Sequence, residues 1–96
     1  MKVSWDGAKN FANEKKHGIA FEEASKLFDS ADYLEIFDEE HSETEERFIA
    51  IGLIPRGLML VVWTQPEEDT IQIISARLGT KREGKLYESY MGKSND

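Results

Sequence analysis

RFIAIGLIPRGLMLVVWTQPEEDTIQIISAR, residues 47–77, decides the fold. Its first part, Arg47 to Leu53, sets Phe48 and Ala50 against Ile49 and Ile51, the two-residue alternation of a β-strand. Pro55, Arg56 and Gly57 follow as a tight turn, with residue types that suit the backbone angles a reversal needs. Leu58 to Thr64 is apolar throughout, the pattern of a central strand covered on both faces. Pro66 to Asp69 reads as a polar turn, and Ile71 to Arg77 as the last strand.

Upstream, Tyr33 to Phe37 alternates in the same way and completes a four-stranded antiparallel meander. Downstream, Thr80 followed by Glu83 makes a capping box for a C-terminal helix. Tyr87, Tyr90 and Met91 form its apolar stripe, and Gly84 weakens it. At the other end Lys2 to Trp5 predicts a short strand. Asp6 predicts the N-cap of a helix that runs to His17 and stops at Gly18. Its stripe of Ala8, Phe11 and Ala12 is thin, so this helix belongs on the surface. Phe21 to Phe28 carries Phe21, Ala24, Leu27 and Phe28 at the spacing of a buried helix. Ala20 at its start is a poor cap, costing about 1 kcal/mol relative to Ser. Strand, two helices, four-stranded meander and helix together predict an α+β domain, an antiparallel sheet with helices packed on it. Residues 1–91 form one domain in this reading, and residues 92–96 a disordered tail.

A chain of 96 residues holds one core. It contains no Cys, which excludes disulfides, thiolate nucleophiles and Cys-based zinc sites, and fits a reducing cytoplasm. The N-terminus shows no signal-peptide pattern, and the longest apolar run, Leu58 to Trp63, is too short for a membrane span. A cytoplasmic protein without membrane contact is the expectation. The net charge of −7 opposes nucleic-acid binding, but the acid is concentrated. Glu35, Asp38, Glu39, Glu40, Glu43, Glu45 and Glu46 crowd one segment without a Lys or Arg, and the remaining chain holds twelve acids against twelve bases. The bases cluster too, at Lys15, Lys16 and His17 and at Arg77, Lys81, Arg82 and Lys85. A locally basic face on an acidic molecule is therefore possible.

Several short motifs stand in order along the chain: Trp5-Asp6 with Lys9 and Asn10; Lys16-His17-Gly18-Ile19 before Phe21-Glu22-Glu23-Ala24; His41-Ser42-Glu43 before Glu45-Glu46-Arg47; Ile51-Gly52 and Arg56-Gly57; Ile73-Ile74-Ser75-Ala76-Arg77; and Arg82-Glu83 with Tyr87-Glu88. In this order and spacing the chain resembles the BrnT family of type II toxins, from Trp5 to about Glu88. The resemblance implies a RelE-like fold and an RNA-cleaving toxin that inhibits translation. It also implies a BrnA-like antitoxin partner with a ribbon-helix-helix domain, so that DNA is met only through the antitoxin. The chain departs from the family pattern at Ala20, where a Ser cap is usual, at Leu78-Gly79, where more basic residues are usual, and in its overall acidity.

Ribonucleases that use no metal need a base for the ribose 2′-hydroxyl, cations for the phosphorane and a proton for the leaving oxygen. Arg77, Arg82, Arg47 and His41 are the catalytic candidates. Arginine offers a bidentate fork to phosphate, and histidine is the residue type that titrates near neutrality. Lys81, Lys85, Lys16 and His17 are the candidate RNA contacts. Each has a plainer reading. Arg77 could pair with a carboxylate at the sheet edge, Arg82 could be an ordinary exposed helix residue, and Arg47 could be salt-bridged to its acidic neighbours. His41 could anchor its loop, and His17 could simply suit a helix C-terminus. Tyr87, Trp5 and Trp63 read as packing residues. No metal or other cofactor is expected, because the two histidines match no zinc pattern and the acidic run lacks calcium-loop spacing. The competing reading is a catalytically inert homologue that binds its antitoxin as a co-repressor, favoured by the charge of −7 and by Leu78-Gly79.

Overall fold

A computed structural model of the chain describes residues 2–30, 32–41 and 44–92. Glu43 of the acidic segment and residues 93–96 lie outside the described residues. The elements are β1 (Lys2–Trp5), α1 (Gly7–His17), α2 (Phe21–Ala24), β2 (Tyr33–Phe37), β3 (Arg47–Ile54), β4 (Gly57–Glu67), β5 (Thr70–Leu78) and α3 (Lys81–Gly92). Short 3-10 turns occupy Ser25–Asp29 and Glu39–His41. The architecture is α+β, as the sequence predicts. Strands β2 to β5 form the antiparallel meander, and apolar β4 is the middle strand of five. The fifth is β1, which lies parallel to β5 with Lys2 opposite Thr70 and Trp5 opposite Ile73. The sheet is therefore mixed, a pairing that local sequence patterns do not encode.

Alternate residues of a strand face opposite sides, and the buried side chains sort accordingly. One face bears Ala50, Met59, Val61, Trp63, Ile71, Ile73 and Ala76 and packs on Ile19, Phe21, Ala24 and Leu27. The other bears Leu34, Ile51 and Leu60 beside Tyr87 of α3. Helix α3 touches β2 and β3, so the part of this face made by β4 and β5 is less covered.

Helix α1 starts and stops where its caps predict. Asp6 accepts hydrogen bonds from the backbone N–H groups of Ala8 and Lys9 at 2.8 and 3.3 Å. Gly18 adopts φ 72°, a left-handed angle that favours glycine, and ends the helix. The helix does lie on the surface, but its expected apolar stripe docks nothing: Ala8, Phe11 and Ala12 are exposed, and the residue it buries is Asn13. The Asn13 amide Nδ2 donates to the carbonyls of Ile19 and Ala76, both at 2.9 Å, and its Oδ1 accepts from the Ala76 N–H at 3.1 Å. Asn13 thus completes the edge of β5 beyond the point where β1 stops.

Three further expectations are corrected. The helix predicted over Phe21 to Phe28 shortens to α2 and tightens into a 3-10 turn at Ser25, whose hydroxyl donates to the Glu22 carbonyl at 2.8 Å and competes for a helix acceptor. Ala20 makes no side-chain cap, as anticipated, but Asn10 replaces it by accepting from the Phe21 N–H at 2.8 Å. Strand β4 runs through Pro66, so the polar turn contracts to Glu68 and Asp69. A register shift between Thr64 and Glu67 lets the ladder accommodate a residue without an N–H. Finally, the stripe of α3 packs at Tyr87 but leaves Tyr90 61% exposed, and Gly92 still belongs to the helix.

Candidate active site

Strand β5 carries one more residue than β4 needs. Trp63 pairs with Ile73 and Val62 with Ser75, leaving Ile74 as the extra residue of a bulge. A bulge bends its strand and re-aims side chains, and Ile74 and Ser75 both line the less covered face of the sheet. The bulge is a finding of the structure; nothing in the run Ile71 to Arg77 marks it.

On this face lies a cleft of about 310 Å³. Its floor is apolar, with Ile49, Leu60, Val62 and Ile74, and its polar rim is Asp38, His41, Arg47, Arg77 and Glu83. A neighbouring hollow of about 360 Å³ is lined by Glu40, His41, Thr44 and Arg47, so His41 and Arg47 border both. Three of the four catalytic candidates therefore converge from β3, β5 and the segment between β2 and β3.

Arg77 is the penultimate residue of β5, and Leu78, Gly79 and Thr80 lead from it into α3. It forms a bidentate pair with Glu83, Nη1 to Oε1 at 2.8 Å and Nη2 to Oε2 at 2.7 Å, and Nη1 also donates to the Leu78 carbonyl at 3.1 Å. Glu83 is at the same time the acidic half of the predicted capping box. Its Oε1 accepts from the Thr80 N–H at 2.8 Å, and its own N–H donates to the Thr80 hydroxyl at 3.2 Å. The hydrogen bond from Arg77 holds the Glu83 carboxyl below the usual glutamate value, against the opposing effect of burial. The same bond raises the Arg77 guanidinium above its ordinary value.

His41 ends the 3-10 turn after β2, and its Nδ1 lies 2.9 Å from Asp38 Oδ2. Its side chain is 62% exposed and that of Asp38 13% exposed. In the neutral tautomer that donates from Nδ1 to Asp38, Nε2 is the acceptor. Arg47 lies 3.9 Å from Glu45, a long and partly solvated ion pair.

The other candidates lie elsewhere. Arg82, Lys81 and Lys85 are exposed on α3 and do not line the cleft. Lys16 and His17 line a separate hollow of about 310 Å³ with Lys9, Ala12 and Asn13 of α1. Ile74 and Ser75 border both that hollow and the cleft, so the two adjoin across the bulge. Asp38, Lys9, Ser75 and the ion-pairing role of Glu83 were not legible as site features. Lys9, Ser75 and Glu83 did stand in the ordered motifs, and Glu83 also carried its capping-box spacing from Thr80. Among the described residues no cluster of three or more His, Asp or Glu is arranged to hold a metal ion, and no helix is long and apolar enough to cross a membrane.

No curated protein matches the chain. Among solved structures it is similar to the crystal structure of the ribonuclease toxin BrnT of Brucella abortus, with a TM-score of 0.66 and 23% identity, covering 83% of this chain and 97% of that one. At such identity the likeness concerns the fold. A family model described as the ribonuclease toxin BrnT of type II toxin-antitoxin systems matches residues 5–83, from Trp5 to Glu83. The chain belongs to the BrnT family of ribonuclease toxins of type II toxin-antitoxin systems.

Proposed function

We propose that the chain is a metal-independent endoribonuclease that cleaves mRNA, thereby blocks translation, and is silenced by a BrnA-like ribbon-helix-helix antitoxin. Family membership implies the RNA target and the antitoxin partner. The observation that carries the catalytic part is the convergence of Arg47, Arg77 and His41 around one open cleft. Two guanidinium groups supply the positive charge that the phosphorane needs, and the apolar floor lowers the local dielectric around them.

In this reading the scissile phosphate enters between Arg77 and Arg47. His41 takes the 2′-hydroxyl proton on Nε2, while Asp38 holds the ring through Nδ1 at 2.9 Å. The 2′-oxygen bonds to phosphorus, the bond to the 5′-oxygen breaks, and that oxygen takes a proton from the solvent filling the open cleft. The products are a 2′,3′-cyclic phosphate and a 5′-hydroxyl. Lys16 and His17 lie across the bulge, where they can meet a flanking phosphate. Lys81, Arg82 and Lys85 contribute to the field from α3 rather than from the cleft.

Inducible expression of the chain and of Arg77→Ala in a bacterial host, scored for growth and RNA integrity, tests the reading. Growth arrest with fragmented RNA, lost in Arg77→Ala at equal protein level, is the expected result. Arrest that persists undiminished in the variant removes Arg77 from the mechanism. The Arg77–Glu83 pair and the charge of −7 favour one competing reading, an inert antitoxin-binding co-repressor. Its signature is normal growth with abundant folded protein.

A further inference from the structure

Arg77 meets Glu83 with only one of its two donor edges. A guanidinium carries five N–H groups in a planar fork, paired along a Nη1/Nη2 edge and a Nε/Nη2 edge. Glu83 accepts along the first edge, and the second Nη1 hydrogen goes to the Leu78 carbonyl. Nε and the remaining Nη2 hydrogen form the second edge, and among the described residues neither has a partner. A phosphate presents two oxygens at the spacing such an edge recognises.

We propose that Glu83 is a positioning residue, which clamps the Nη1/Nη2 edge of Arg77 so that the Nε/Nη2 edge receives the scissile phosphate. The inference rests on the reading of Arg77 as the phosphate ligand. Glu83 is equipped to act as a clamp because it is itself fixed. The capping box ties it to Thr80 through both its carboxylate and its backbone, in the first turn of α3. It is also the less exposed partner, at 21% against 38% for Arg77. A phosphate that displaced Glu83 would leave a partly buried carboxylate without its strongest partner, beside a second anion. Addition at the open edge avoids that cost and meets a side chain whose rotamer freedom is already restricted. The capping box of α3 thereby serves the cleft as well as the helix.

Three substitutions in the full chain separate these roles, with kcat and KM for an RNA oligonucleotide measured beside the melting temperature. Glu83→Gln keeps the capping box, since glutamine fills that position well, but offers Arg77 one neutral acceptor in place of two charged ones. It is expected to lower kcat between about tenfold and a hundredfold, with KM and melting temperature little changed. Thr80→Ala removes the hydroxyl cap but keeps the backbone N–H that holds the Glu83 carboxylate, so it is expected to lower the melting temperature and to lower kcat by less than Glu83→Gln does. Arg77→Ala is expected to be inactive. Wild-type kcat in Glu83→Gln beside inactive Arg77→Ala overturns the proposal, as does faster cleavage by Glu83→Gln, which would make the carboxylate a block. Full activity in Arg77→Ala instead overturns the underlying reading of Arg77. A second measurement needs no variant: the nitrogen NMR signals of Arg77 while an uncleavable DNA-substituted oligonucleotide binds. A shift at Nε with the Nη signals held supports the clamp, and release of the Nη groups from Glu83 overturns it.

Discussion

Asn13 and Ala76 face each other as two strand residues would, although one is a helical side chain. The amide of Asn13 donates to the Ala76 carbonyl at 2.9 Å and accepts from its N–H at 3.1 Å. At 7% exposure the asparagine is among the few buried polar groups, and both its N–H groups and its oxygen are hydrogen-bonded. This contact fixes α1 against β5 at the border of the hollow that Lys16 and His17 line.

Asn13→Ala leaves the Ala76 N–H and the carbonyls of Ala76 and Ile19 without these partners. The expected loss is about 2–4 kcal/mol, read from urea unfolding. Asn13→Asp should be at least as damaging, because a carboxylate cannot donate to the two carbonyls.

Gly52 on β3 has no room for a side chain. A Cβ there would lie 2.5 Å from Leu27 Cδ1 and 2.9 Å from Tyr33 Cβ. Gly52→Ala is therefore expected to cost about 1–3 kcal/mol, measured as a fall in melting temperature. Gly79→Ala meets chiefly Leu58 Cδ2 at 2.6 Å, the free end of a half-buried side chain that can swing aside. It should be the milder of the two.

Acid should weaken the junction between β5 and α3. The folded-state carboxyl of Glu83 lies below its ordinary value of 4.5, chiefly because Arg77 donates to it. A lowered carboxyl stabilises the fold above the unfolded value and loses that contribution as pH falls through the folded one. Glu83→Gln is expected to lose that contribution, falling slightly below wild type near neutrality, converging with it in acid, and so flattening the stability profile below about pH 4.5. Because Arg77 is 38% exposed, solvent screening keeps the effect small. Urea midpoints at a series of pH values measure it.

RNA binding should be weak and steeply salt-dependent for a chain of net charge −7. If a single strand crosses from the cleft over Ser75 toward α1, Lys16→Ala should lower the slope of log affinity against log salt by about 0.7. Lys85→Ala, on α3 outside the cleft, should lower it by less. Fluorescence anisotropy with a DNA-substituted strand over a salt series distinguishes the two.

What could be seen in the sequence was what neighbouring residues specify. The alternation through Arg47–Arg77, the caps Asp6 and Gly18, and the Thr80–Glu83 box each depend on contacts a few residues apart, and each stands in the structure. Contacts between distant segments were not visible. Nothing near Lys2 announces that β1 pairs with β5, and nothing in a polar helix marks Asn13 as its anchor. The site divides the same way. Arg77, Arg47 and His41 could be nominated by residue type, but their convergence depends on sheet register, and Asp38 drew no notice amid an acidic run. Arg82, Lys81 and Lys85 lie outside the cleft because the capping box aims Glu83, rather than its neighbours on α3, toward β5.

The parallel pairing of β1 with β5 has a consequence for when the cleft can assemble. Strand β1 finds its partner only after β5, the last strand of this sheet in chain order, exists, since Lys2 faces Thr70 and Trp5 faces Ile73. Arg77, Thr80 and Glu83 arrive later still. A partly synthesised chain has His41 and Arg47 but neither a finished sheet nor the second guanidinium. Closure of such distant pairings is intrinsically slow. The order of the strands thus acts as a timer, delaying assembly of the cleft until nearly the whole domain has been made.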